Sequence, residues 1–366
     1  MRFPRFDMER MQSTWEHKIR YDLSESGVEA LTLEEITRDP KELMRTGLGY
    51  AEGVGREATR ALVASFHAGR AADDVVITTG TSEANFLALA TLVSTGDEVV
   101  VVMPNYMQVH GIATGMRARV REVWLREEHG WTIDLDALRV AVNARTRVIC
   151  VCQPNNPTGQ ILSQGEVAEI VRVADRHGTW ILADEVYRGA ERSGEESPTF
   201  SGRGERIIVT GGLSKVYGLP GLRIGWLVAP PERVEDALEI KDYTTIAPAT
   251  ISEVLAEIAL ERRKQLLERA RFLVNDRWPM LEDWAGGRSR ELHWTAPAAG
   301  AICFFSYKYP IDSMALVDRL IREYSTMIVP GIHFRAERHL RIGFGMVPRV
   351  LHSGLAAIDR LLTSLD

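Results

Sequence analysis

The chain has 366 residues, of which 45% are apolar, enough for a large core and for more than one domain. A formal charge of -6 gives no net positive field for a nucleic-acid partner. No segment approaches the ~20 apolar residues of a membrane span, and the charged N-terminus MRFPRFDMERMQ does not read as a secretory leader, so a cytoplasmic protein without membrane or nucleic-acid partners is expected.

In chain order, the first ~45 residues are poor in strand signals. Short β-rich runs then alternate with helical patterns: residues 74–79, 98–103, 120–125, 147–153, 179–184, 206–211 and 224–229 read as strands. Between them, residues 82–94 read as a helix that Ser82 can cap, and residues 163–178 as a helix with Ser163 and Glu166 at capping-box spacing. This alternation predicts an α/β fold, a mainly parallel seven-stranded sheet sandwiched by helices. From about Thr250 the pattern changes to long helices, followed by strand-like stretches at 301–305 and 340–344, which predicts a smaller α+β domain. The expected division is an N-terminal segment 1–46 packing with the small domain, a large domain 47–245 and the small domain 246–366. Cys150 and Cys152 share one face of their strand by alternation and read as buried fillers, a metal pair being the alternative. Three cysteines make no disulfide framework, and no metal site is expected.

Several chemically suggestive residues follow the predicted strands, where an α/β sheet holds its ligands. Gly80-Thr81-Ser82 opens a helix, where free backbone amides and hydroxyls suit a phosphate. Tyr106, in Pro104-Asn105-Tyr106, can stack on a planar ring for about 0.5–1.5 kcal/mol beyond its burial. Asn156 lies in the stiff turn Pro154-Asn155-Asn156-Pro157-Thr158-Gly159, which lets an amide donate a hydrogen bond with little entropy to lose. Asp184, before Glu185-Val186-Tyr187, is a carboxylate at a strand end that needs a cationic partner if buried. In GGLSKVYGLPGLRIGW (211–226), Lys215 is a single amine among glycines and hydroxyls. An ordinary lysine, with a pKa of ~10.4, is ammonium at neutral pH. Burial beside cations, with Arg223 a candidate, would free its lone pair to attack a carbonyl.

This last run resembles the lysine segment of fold type I pyridoxal 5'-phosphate enzymes, specifically the class I and II aminotransferases, and Asn156-Pro157-Thr158-Gly159 equals their Asn-Pro-x-Gly signature. The resemblance covers roughly Ser24 to the C-terminus. It implies pyridoxal phosphate as cofactor, with Lys215 forming the Schiff base, Asp184 pairing with the pyridinium nitrogen, and Asn156 and Tyr187 at the phenolic oxygen. It also implies Tyr106 against the ring, and Arg223 at the phosphate with Gly80, Thr81, Ser82 and Ser214. Gly212 departs from the pattern, since that position usually carries a phosphate-contacting hydroxyl. Tyr50, ahead of Glu52-Gly53-Val54-Gly55, matches a tyrosine that reaches the partner's phosphate and so implies a homodimer with shared sites. Arg341, in LRIGFG, matches the arginine that grips the substrate α-carboxylate.

The implied activity is that of a transferase moving the amino group of an L-amino acid to a 2-oxo acid. Residues 22–36 also resemble the N-terminal pattern of capreomycidine synthase-like members, which eliminate and cyclise a hydroxylated arginine. In that case Glu25, beside Gly27, would line the substrate side and attract a cationic side chain. A non-catalytic pyridoxal-binding regulator is the third reading. It is disfavoured because such proteins carry an extra DNA-binding domain, whereas this chain starts almost directly at its enzyme segment.

Overall fold

A computed structural model describes residues 2–37 and 39–365, with the side chain of Glu42 not described. The strands in chain order are β1 (Tyr21–Asp22), β2 (Val75–Thr78), β3 (Glu98–Met103), β4 (Arg119–Arg126), β5 (Thr132–Ile133), β6 (Thr146–Cys152), β7 (Trp180–Asp184), β8 (Ile207–Gly212), β9 (Gly225–Val228), β10 (Leu292–Trp294), β11 (Ile302–Tyr307), β12 (Thr326–Met327), β13 (Val329–Pro330) and β14 (His339–Gly343). Eight of them form the large sheet, in the order β2-β9-β8-β7-β6-β3-β4-β5. All seven expected strands are present, and the short β5 adds an eighth. The five from β8 to β4 run parallel, while β9 is antiparallel to both of its neighbours and β5 to β4.

Strands β2, β3, β8 and β9 are buried along their whole length, as expected of a sheet covered on both faces. One face packs on the helix Thr81–Leu92, whose Leu87, Ala88 and Leu89 are buried. On the other lies the helix Gln164–His177, which begins with the expected capping box between Ser163 and Glu166. Ser82 is not a cap: the N-cap is Gly80, at φ +78°, a left-handed conformation that glycine adopts without a Cβ penalty. Cys150 and Cys152 are both buried, and burial pushes the Cys150 thiol up to about 12.

The second half of the chain carries the helices Thr250–Glu261 and Arg263–Gly286 and a four-stranded antiparallel sheet, β10-β11-β14-β13. The N-terminal residues join this part: β1 pairs in parallel with β12, and Gly343 N donates to the Leu23 carbonyl at 2.7 Å. Among the described residues no helix is long and apolar enough to cross a membrane.

Candidate active site

The carboxyl ends of β3, β6, β7 and β8 open on a cavity of about 770 Å³. Thr81, Ser82, Tyr106, Asn156, Asp184, Tyr187, Ser214, Lys215, Arg223, Arg341 and Glu25 all line it. Parallel pairing explains the convergence: Cys152, Asp184 and Thr210 sit side by side in register, so the segments leaving those strands emerge at one edge.

Arg223, Ser214, Thr81 and Ser82 gather at one end. Arg223 Nη1 donates to the Ser214 hydroxyl at 3.4 Å and to the Pro220 carbonyl at 3.1 Å. A Cβ on Gly80 would come within 2.4 Å of the Arg223 guanidinium, so the bare backbone lets that side chain lie across the helix start. A Cβ on Gly212 would lie 2.5 Å from Thr81 Oγ1. The missing hydroxyl at position 212 therefore has no room, because Thr81 fills the space and donates to the Gly211 carbonyl at 2.9 Å. The Ser82 and Ser214 hydroxyls, a guanidinium and a helix N-terminus make a set of donors suited to a phosphate group.

Asp184 is buried. Burial pushes its carboxyl above the ordinary value against the opposing pull of the Asn85 side chain, which donates to Asp184 Oδ2 at 2.9 Å, and of the Val186 amide. Asn156 Nδ2 donates to the Tyr187 hydroxyl at 3.2 Å, and that hydroxyl donates to Ser26 Oγ at 2.8 Å. Arg341 is 1% exposed; its Nη1 donates to Asn156 Oδ1 at 2.9 Å, Nη2 donates to the Ser24 carbonyl, and Nε has no hydrogen-bond partner among the described residues. The Tyr106 ring lines the cavity with its hydroxyl tied to Glu9 at 2.8 Å.

Lys215 departs from the expectation of a lysine surrounded by cations. Its Nζ donates to Glu25 Oε1 at 2.8 Å. Burial pushes its pKa down, but Glu25, by charge and by hydrogen bond, and Tyr187 together outweigh this, and the net shift is upward. Burial pushes Glu25 up in turn, but Lys215 and the Gly27 and Ser26 amides pull its carboxyl down to about 2. Gly27 packs beside this pair, where a Cβ would lie 3.3 Å from the Lys215 Cα. Tyr50 is not brought to the cavity: it is 93% exposed and does not line it.

Sequence reasoning missed three contributions. The helix Asp7–Trp15 and the residues after it supply Met8, Glu9, Gln12, Ser13 and Glu16 to the lining. Ser26 completes the Tyr187 hydrogen bonds, and Asn85 contacts Asp184 from the helix that begins at Thr81. Only the apolar spacing of Met8, Met11 and Trp15 signalled that the first helix packs inward.

A doubly covered, mainly parallel sheet with a lysine, an aspartate, an asparagine and an arginine at its carboxyl edge, and Arg341 entering the same cavity from β14 of the smaller sheet, defines the class of pyridoxal-phosphate-dependent enzymes with the aminotransferase fold. The chain belongs to the aminotransferase class I and II family, whose model matches residues 20–358. It is 33% identical over 348 residues to capreomycidine synthase from Streptomyces vinaceus, covering 93% of this chain and 89% of that protein. The crystal structure of a PLP-dependent aminotransferase from Streptococcus suis 89-1591 superposes with a TM-score of 0.94 at 29% identity, covering 100% of this chain and 99% of that one. That of the PLP-dependent cyclase OrfR gives 0.92 at 26% identity, with 100% and 98% covered. Members of the family and these neighbours use pyridoxal phosphate, and the donor set around the cavity fits it.

Proposed function

We propose that the protein moves the amino group of an L-amino acid to a 2-oxo acid, using Lys215 as the covalent anchor for pyridoxal phosphate and as the acid–base group at the substrate Cα. The observation that carries this reading is the convergence of Lys215, Asp184, Asn156, Tyr187 and Arg341 on one cavity. When bound, the cofactor ring supplies an electron sink for the pair left when a bond at Cα breaks.

The protein's own groups do the rest. Arg223, Ser214, Thr81, Ser82 and the Gly80 backbone hold the phosphate, and the Asp184 carboxylate accepts from the ring nitrogen. Asn156 and Tyr187 hold the phenolic oxygen, and Tyr106 covers the ring. Arg341, oriented by Asn156 and the Ser24 carbonyl, grips the α-carboxylate as a rigid fork. Lys215 Nζ, once it leaves Glu25, takes the Cα proton and redelivers it. Residues 47–245 are proposed as the cofactor-binding domain and 246–366, with the segment 1–46, as the small domain. Tyr50 is proposed to reach the phosphate of a second copy in a homodimer.

A lyase or cyclase is the second reading. It is favoured by Glu25, whose carboxylate is pinned by two backbone amides at the substrate side of Lys215, and by the similarity to capreomycidine synthase and the cyclase OrfR. The two readings separate in one experiment. Purified protein with pyridoxal phosphate is offered a panel of amino acids that includes arginine and hydroxyarginine, while keto acid, ammonia and cyclised product are followed together. Keto acid that appears only with a 2-oxo acid acceptor supports transfer; a product formed without acceptor replaces it with the second reading. A wild type that takes up no pyridoxal phosphate and stays colourless overturns both; Lys215→Ala should lose the absorbance that comes from the covalent bond to Lys215.

A further inference from the structure

Asn85 lies on the helix Thr81–Leu92 among buried Ala84, Leu87, Ala88 and Leu89, and is itself 1% exposed. A polar amide in such surroundings is costly unless its hydrogen bonds are made. They are: Nδ2 donates to Asp184 Oδ2 at 2.9 Å and to Gln108 Oε1 at 3.3 Å, and Oδ1 accepts from the Thr210 hydroxyl at 2.7 Å. Asp184 and Thr210 are register partners on β7 and β8, so the amide bridges two adjacent strands from the helix packed above them.

The arrangement has a direction. An ionised carboxylate only accepts hydrogen bonds, so the amide must turn its NH2 to Asp184 and its carbonyl to Thr210, which can donate. The chain Thr210–Asn85–Asp184 therefore reads one way, from hydroxyl through amide to carboxylate. Asp184 Oδ1 takes the Val186 amide at 3.1 Å, which fixes the second oxygen. Lys215 is the cation whose charge acts on this carboxylate. The helix that offers Thr81 and Ser82 at its start thus also orients Asp184 one turn later.

We propose that Asn85 is a positioning residue: held by Thr210, its amide orients the Asp184 carboxylate as acceptor for the ring nitrogen of pyridoxal phosphate. The proposal rests on the reading that this cavity takes that cofactor, and the test keeps the two apart. Affinities for pyridoxal phosphate and for its 1-deaza isostere, in which the ring nitrogen is replaced by CH, are measured by titration for the wild type, Asn85→Leu, Thr210→Val, Thr210→Ser and Arg223→Ala. The wild type should prefer the natural cofactor. Asn85→Leu should reduce that preference about ten-fold or more, the scale of a hydrogen bond to a charged group. Thr210→Val should reduce it by a smaller factor, and Thr210→Ser, which keeps the hydroxyl, should retain it. Arg223→Ala should weaken both ligands in proportion and leave the ratio unchanged.

A wild type that binds no pyridoxal phosphate overturns the cofactor reading and the proposal with it. A wild type that binds both ligands equally, or a folded Asn85→Leu with the wild-type ratio, overturns the proposal alone. Should Asn85→Leu fail to fold, Thr210→Val decides: an unchanged ratio there overturns it.

Discussion

A carboxylate 2.8 Å from the amine proposed to attack a carbonyl sets two pH dependences that can be read separately. Lys215 is held as ammonium above its ordinary range, so capture of pyridoxal phosphate by the free amine should accelerate with rising pH. Glu25→Gln removes the stabilising charge, lowers that pKa and should move the acceleration to lower pH; stopped-flow absorbance of capture against pH measures it, and coincident profiles would discard the idea. Stability follows linkage. Glu25 falls from its ordinary 4.5 to about 2, so its contribution is complete above 4.5 and is lost as the pH drops toward 2. On the lysine side the contribution is complete below 10.5 and is lost as the pH rises through the raised value. Melting temperatures between pH 2 and pH 5 should therefore fall less steeply in Glu25→Gln than in the wild type. If Glu25 also attracts a cationic substrate, the same variant should raise KM for arginine far more than for a neutral amino acid.

At the scale of elements, the helix that begins at Thr81 is where sequence reading was most and least informative. Its existence was legible from a long apolar pattern after a β-rich run, and the seven strands from short β-rich runs between helical patterns. Its start was not. Ser82 has capping chemistry, but Gly80, two residues earlier, takes the N-cap, with Gly225 and the Arg223 side chain packed against it from segments distant in sequence. The direction of β9 was equally hidden, since composition carries no sign of orientation. A Cβ on Gly225 would lie 2.4 Å from both the Gly80 carbonyl carbon and the Thr81 amide nitrogen, which are backbone atoms that cannot swing away. Gly225→Ala should therefore cost about 1–3 kcal/mol in denaturant unfolding, typical of overpacking. It should weaken pyridoxal phosphate binding at the same time by displacing the helix start. Gly165→Ala, on a helix where the new methyl would meet only Ser163 Oγ at 3.9 Å, is the control and should be neutral or slightly stabilising. Equal stability of the two variants would refute the close approach.

For the molecule as a whole, the motifs that follow strands were legible together because a parallel sheet collects their carboxyl ends, whatever their separation in sequence. What lay outside that rule stayed hidden: Glu9 meets Tyr106, Glu25 meets Lys215, and Asn85 meets Asp184 only through packing between distant segments, which no local pattern encodes. Tyr50 extends the same problem beyond one chain. It is 93% exposed and lines no part of this chain's cavity, although its surroundings match a tyrosine that serves a partner's phosphate. Met44 and Leu48, at 86% and 82%, are large apolar side chains exposed in the same stretch, as an interface with a second copy would require. Subunit complementation tests the assignment. Tyr50→Ala and Lys215→Ala should each be poorly active, but unfolding and refolding them together in equal amounts lets mixed dimers form. In such a dimer the chain with an intact Lys215 receives an intact Tyr50 from its partner, so one of its two sites is whole. With random pairing, half of the dimers are mixed, and about a quarter of the wild-type activity per site should return. Activity no higher than the mean of the two parents would place Tyr50 outside the partner's site.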